Sequence, residues 1–155
     1  MNIEIELIII PKLIVAFGLG LFIGLDRERQ GKDAGIRTYA AVCLGATLFT
    51  TIAEHIGDDV TSVSRIVANI VTGIGFLGAG IIYRNSDSKS SQGLTTAATV
   101  WCTAAVGVAI GLDMFFIAIT ASLMIYFLLS LERRKWYMQW KNKIKNTDNN
   151  NDKSD

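Results

Sequence analysis

The side chains of this 155-residue sequence that can do chemistry fall into three short clusters. The first is Asp26-Arg27-Glu28-Arg29, closely followed by Gly35-Ile36-Arg37-Thr38. Carboxylates and guanidinium groups so arranged can pair, with Arg37 reaching back to Asp26 or Glu28. The alternating signs suit an interfacial loop with solvated charges equally well. The second cluster is Arg65 with Asn69, four residues apart and so on one face of a helix. Asn69 can hydrogen-bond a neighbouring helix or line a polar path. The third is Gly93-Leu94-Thr95-Thr96-Ala97-Ala98-Thr99. Its hydroxyls stand at a helix start, where free N–H groups favour anions. A threonine capping its own helix is the commoner arrangement there.

None of this is catalytic machinery. Cys43 and Cys102 read as small packing residues rather than a redox pair. His55 is the single histidine, and no Cys/His spacing suits zinc. No nucleophile elbow, zinc-protease helix or phosphate-binding loop is present. The expectation is a protein without enzymatic activity or cofactor, and no residue set is assigned to a metal.

The elements that must position these clusters follow from how charge is distributed. Half of the chain is hydrophobic and the formal net charge is +1, which by itself describes one soluble domain. Residues 66–131, however, hold only Arg84, Asp87, Lys89 and Asp113. Low-charge blocks between charged junctions predict an all-α bundle of about five membrane helices, near 7–25, 38–56, 66–83, 93–111 and 114–131. The first two spans need Lys12, Glu54 and His55 near their ends, where a long side chain can snorkel; Pro11 fits the first turn of its helix. Trp101 lies too deep for an interface anchor and is expected to pack between helices. Glu4 and Glu6 stand where a signal peptide would be basic, so the first segment is expected to stay as an anchor.

Basic residues give an orientation. The 26–37 loop, the 84–92 loop and the tail carry 13 of the 15 Lys and Arg residues. By the positive-inside rule the N-terminus is outside and the C-terminus cytoplasmic. Residues 1–132 are then the membrane domain. Residues 133–155 form a cytoplasmic tail, first basic and aromatic, then polar and disordered. No basic face suits nucleic acid.

Fourteen glycines suggest close helix packing. Ala16, Gly20 and Gly24 form one four-residue stripe, and Thr103, Gly107 and Gly111 another. The densest group is Gly73, Gly75, Gly78 and Gly80 in GIGFLGAG. These point in several directions, so the third helix is expected to be central, and bent or broken there.

Three blocks, GLFIGLDRERQGKDAGIRT, RIVANIVTGIGFLGAG and QGLTTAATVWCTAAVG, occur in this order. Together they resemble the MgtC/SapB family of bacterial membrane proteins, over about Lys12 to Glu132. The resemblance implies a five-helix inner-membrane protein and sets Arg27, Glu28, Gly35, Arg37, Thr38, Arg65, Gly73, Gly75, Gly78, Gly80, Gly93, Thr96, Trp101 and Cys102 on family positions. Asp26 stands where the family usually has Glu, and Asn69 where Gln is common. MgtC-like relatives are associated with growth in low magnesium and restraint of the membrane ATP synthase. The resemblance leads to the expectation of a membrane half without the soluble domain of the longer members, closer to the short SapB-like form. The expected role is that of a non-enzymatic regulator in the bilayer, self-associating or contacting another membrane complex such as an ATP synthase or transporter. The alternative is a small ion carrier or channel, working as an oligomer, with Asp26, Glu28, Asn69, Thr95 and Thr96 along its route.

Overall fold

The computed structural model describes residues 3–56, 60–84 and 91–131. The 133–155 tail lies outside the described residues. Five helices run in order: α1 (Ile3–Arg29), α2 (Ile36–Ile56), α3 (Val60–Ile81), α4 (Leu94–Gly111) and α5 (Phe115–Leu131). The α3–α4 connection carries a two-residue antiparallel pairing of Tyr83–Arg84 with Ser91–Gln92. The first four helices are long and apolar enough to cross a membrane, and α5, at 17 residues, is shorter.

Two of these spans exceed the expectation. The charge pattern predicts an end of α1 near residue 25, yet the helix continues to Arg29. Gln30 Nε2 donates to Asp26 Oδ2 at 2.6 Å, and Arg27 and Arg29 sit at the helix C-terminus, where positive charge is favoured. The first charged cluster is therefore helix, and the loop is only 30–35. α1 also begins at Ile3, so Pro11 lies inside it rather than in its first turn. α3 starts at Val60, six residues early, which puts Arg65 well within the helix.

Small residues set the registers. α1 and α2 are antiparallel, with Gly20 against Ala40 and Gly24 against Ile36; a Cβ there would stand 2.7 Å and 2.6 Å from the facing Cα atoms. α2 and α4 are parallel, with Gly107 against Cys43 and Ala46, and Gly111 against Thr50. Thr47 Oγ1 donates across this contact to the Gly107 carbonyl at 2.8 Å. The core is Ala16, Ile23, Tyr39, Cys43, Val100, Val106 and Ile110, with Ala118, Ile125 and Leu129 from α5. The ring of Phe22 stacks on Tyr126, centroids 4.7 Å apart.

The third helix is not central. Among its residues only Gly78 is buried, against Ala97 of α4. Gly73, Gly75 and Gly80 would meet nothing within 4 Å if given a Cβ. The helix is continuous through GIGFLGAG. Its position has a physical reason: α2 and α4 close on each other through Gly107 and Gly111, which leaves α3 only an outer edge to pack on. Trp101 is 47% exposed and faces outward, contrary to the expectation of a place between helices.

Candidate functional site: a buried polar network joining the ends of α1, α2 and α4

At the end of the bundle holding the 30–35 loop, Arg27 and Asp26 are each only 1% exposed. A guanidinium can be buried only if its donors are met. Arg27 Nη2 donates to Thr96 Oγ1 at 2.6 Å, and Nη1 reaches Gln30 Oε1 at 3.5 Å. Gln30 closes the loop onto Asp26. Arg27 also lies in the last turn of α1, where positive charge is favoured.

The network continues through α4 into α2. Thr99 Oγ1 shares its proton between the Thr95 and Thr96 carbonyls at 2.9 and 3.1 Å. The Tyr39 hydroxyl hydrogen-bonds Thr99 Oγ1 at 2.6 Å, which carries the network into α2. Thr103 repeats the pattern one turn on, donating to the Thr99 carbonyl at 2.8 Å.

Two glycines fix the helix starts. Gly93 precedes α4 with φ 82°, a left-handed conformation that favours glycine, and its carbonyl accepts from Ala97 N at 2.8 Å. No side chain caps α4, so the threonine cap considered from the sequence is not formed, and Thr96 serves Arg27 instead. Gly35 is buried against the Glu28 carboxylate, which itself accepts from Ile36 N at 3.0 Å and so caps α2. Thr38 N donates to the Gly35 carbonyl at 3.1 Å. Arg37 is exposed and, among the described residues, pairs with neither Asp26 nor Glu28. Arg27 takes the buried place that the sequence spacing had offered to Arg37.

A second polar knot, missed from the sequence, lies at the other end of the same helices. Lys12 is 3% exposed. Its ammonium donates to the Gly111 carbonyl at 2.9 Å and Asp113 Oδ2 at 2.8 Å, and lies 3.5 Å from Glu54 Oε2. Lys12 therefore turns inward instead of snorkelling, onto the C-terminus of α4 where a cation is favoured. The signal available was that Lys12, Glu54 and Asp113 all fall at the same end of their apolar helices.

The remaining candidates are scattered. Arg65 and Asn69 are exposed on α3 and make no hydrogen bond or ion pair among the described residues. They line a groove between α2 and α3, away from Asp26, Glu28 and Thr96. Thr95 is exposed, and Cys102 is half-buried with a free thiol. The five residues named for an ion route thus do not converge. Among the described residues no group of three His, Cys, Asp or Glu side chains could hold a metal ion. The geometry of the buried network is that of a clasp: the Arg27–Thr96 and Tyr39–Thr99 hydrogen bonds tie α1 and α2 to α4.

The MgtC family model matches residues 13–135, which takes in both polar knots except Lys12. Protein MgtC of Salmonella typhimurium (strain 14028s) is 44% identical over 116 residues, covering 75% of this chain and 48% of its own. YhiD of Escherichia coli (strain K12), whose name marks it as a candidate magnesium transporter, is 40% identical over 131 residues, covering 79% of this chain and 59% of its own. An uncharacterised Synechocystis protein is 42% identical over 114 residues, covering 74% of this chain and 47% of its own. The chain thus spans about half to three-fifths of the length of these relatives. No solved structure matches. With these matches and helices built to cross a bilayer, this multi-pass membrane protein belongs to the MgtC family.

Proposed function

We propose that this protein is a non-enzymatic regulator of the prokaryotic inner membrane, acting through helix–helix contact with itself or with another membrane complex. The observation that carries the reading is the outward face of α3. Ser64, Ala68, Thr72, Gly75 and Ala79 are all exposed and recur every three or four residues. Such a surface lets a second helix approach closely in lipid, where packing rather than the hydrophobic effect drives association. The hydroxyls of Ser64 and Thr72 are satisfied within α3, by the Thr61 and Ala68 carbonyls, so the face is smooth as well as small.

The rigid clasp behind it suits this role. Lys12 and Arg27 hold α1, α2 and α4 at both ends, so α3 is presented on a fixed scaffold. The magnesium in the name of the Escherichia coli relative supports magnesium homeostasis as the regulated process. The family resemblance adds the membrane ATP synthase as one such complex. The test is a photo-crosslinking side chain placed at Ala79 and, as a control, at Phe116, which is 90% exposed on α5. Crosslinks to protein from residue 79 but not from 116 are expected. Only lipid adducts at both positions would sink the reading.

A further inference from the structure

The opposite side of α3 carries a separate feature. Between α2 and α3 runs an open groove with two contiguous parts of about 490 and 440 Å³, sharing Phe49, Ile66 and Asn69. Its deeper part is walled by apolar side chains such as Val42, Ile70, Ile74 and Leu77. Gly45 and Gly73 face it from the two helices, each with open space where a Cβ would be, which deepens the slot near its middle. Its other part is more polar, with Ser62, Arg65 and Asn69 set among apolar side chains such as Ile52 and Ile56.

That polarity lies at an expensive depth. Arg65 is five residues and Asn69 nine residues into α3, roughly 7 and 13 Å along the axis at 1.5 Å per residue. Arg65 can snorkel outward, but the short Asn69 amide cannot. A polar group in hydrocarbon without a partner is costly. Among the described residues neither side chain has a hydrogen bond or ion pair. The acids described at this end, Glu54 and Asp113, are already engaged by Lys12. Arg65 therefore has a charge to offer, and Asn69 has donors and an acceptor to offer one turn below it.

We propose that the α2–α3 groove is a binding site for one anionic phospholipid. Its phosphate meets Arg65, an ester carbonyl accepts from the Asn69 amide, and one acyl chain runs down the apolar slot to Leu77. The dimensions agree. From Arg65 to Leu77 is 12 residues of helix, or about 18 Å, against about 15 Å for one leaflet of hydrocarbon. In a phospholipid the ester carbonyls lie just below the phosphate, matching the order Arg65 then Asn69. Basic pockets between membrane helices bind lipid headgroups for this reason. The site uses a different face of α3 from the small-residue surface and does not depend on that surface having a partner.

The test is native mass spectrometry of the full chain in mild detergent, titrated with phosphatidylglycerol or phosphatidylcholine of the same chain length. The wild type is expected to retain one phosphatidylglycerol in preference to phosphatidylcholine. Arg65→Gln should weaken that retention about tenfold, the loss of one charged hydrogen bond, and leave phosphatidylcholine little changed. Gly73→Leu fills the slot and should remove both lipids, while its helical signal and melting temperature stay near wild type because open space surrounds that position. Arg29→Gln, outside the groove, should behave as wild type. Equal retention of the two lipids by the wild type, or an Arg65→Gln protein with its preference intact, would overturn the proposal. So would a wild-type dimer that Gly73→Leu splits into monomers, because a second copy would then be the occupant.

Discussion

Lys12 shows how one side chain can fasten three elements. It sits in α1, points at the last carbonyl of α4, and lies between Glu54 of α2 and Asp113 beyond α4. Replacing it with methionine keeps most of the stem but leaves a carbonyl and two carboxylates without their cation. Because Glu54 and Asp113 are 39% and 58% exposed, water reaches both, which limits the penalty. Lys12→Met is expected to cost about 1–3 kcal/mol. Asp113→Asn should cost less, under about 1 kcal/mol, since an exposed pair contributes little. Asn is also the conservative choice because Asp113 has φ 60°, a region Asn tolerates. Thermal melts in detergent, followed by circular dichroism, measure both. Equal losses for the two variants would mean that the Gly111 carbonyl and Glu54 contribute nothing to holding Lys12.

At the scale of helices, glycine carries two opposite meanings in this chain. Gly107 and Gly111 lie where α2 and α4 touch, and Gly20 and Gly24 where α1 and α2 touch. Gly73, Gly75 and Gly80 touch nothing. The four-residue stripes of α1 and α4 were legible as packing surfaces, because one face at constant spacing is what a partner helix needs. The density of GIGFLGAG was legible as a surface but not as a location. Spacing tells which residues share a face, and whether a neighbour fills that face depends on the whole bundle. The burial of Arg27 rather than Arg37 has a similar reason. Sequence shows four alternating charges, and only the extension of α1 to Arg29 decides which of them turns inward. Gly107→Leu should therefore unfold or strongly destabilise the bundle, since even a Cβ would overlap the Cys43 carbonyl and the Ala46 side chain. Gly75→Leu should leave monomer stability unchanged or raise it by up to about 1 kcal/mol, because glycine is a poor helix former. Detergent melting curves compare the two directly. A Gly75→Leu protein as unstable as Gly107→Leu would show that α3 is packed where this structure leaves it open.

The whole molecule has two chemically different ends. The described residues refine the charge argument that predicts its orientation. Of the bases in the first loop region, Arg27 is buried and committed to Thr96. Arg29 and Arg37 are exposed and Lys32 is half-buried, so these three remain as the bases to which the positive-inside rule applies. At the opposite end Lys12 is neutralised by Glu54 and Asp113, leaving Arg65 as the one base without an acidic partner among the described residues. Burial thus removes one base from each side, and the asymmetry survives. The positive-inside rule predicts that α1 to α5 all cross, α5 with modest thinning of the bilayer around its 17 residues, so that the 30–35 loop faces the cytoplasm and the ends of α2 and α3 at Ile56 and Val60 face outward. Single cysteines test this in intact cells, with Cys43 and Cys102 replaced by serine or alanine. Lys32→Cys should react only with a membrane-permeant maleimide. Ile56→Cys, 76% exposed at the far end of α2, should also react with an impermeant one. The reverse pattern would invert the molecule. It would move Arg65 and its groove to the cytoplasmic leaflet while leaving every contact inside the bundle as described.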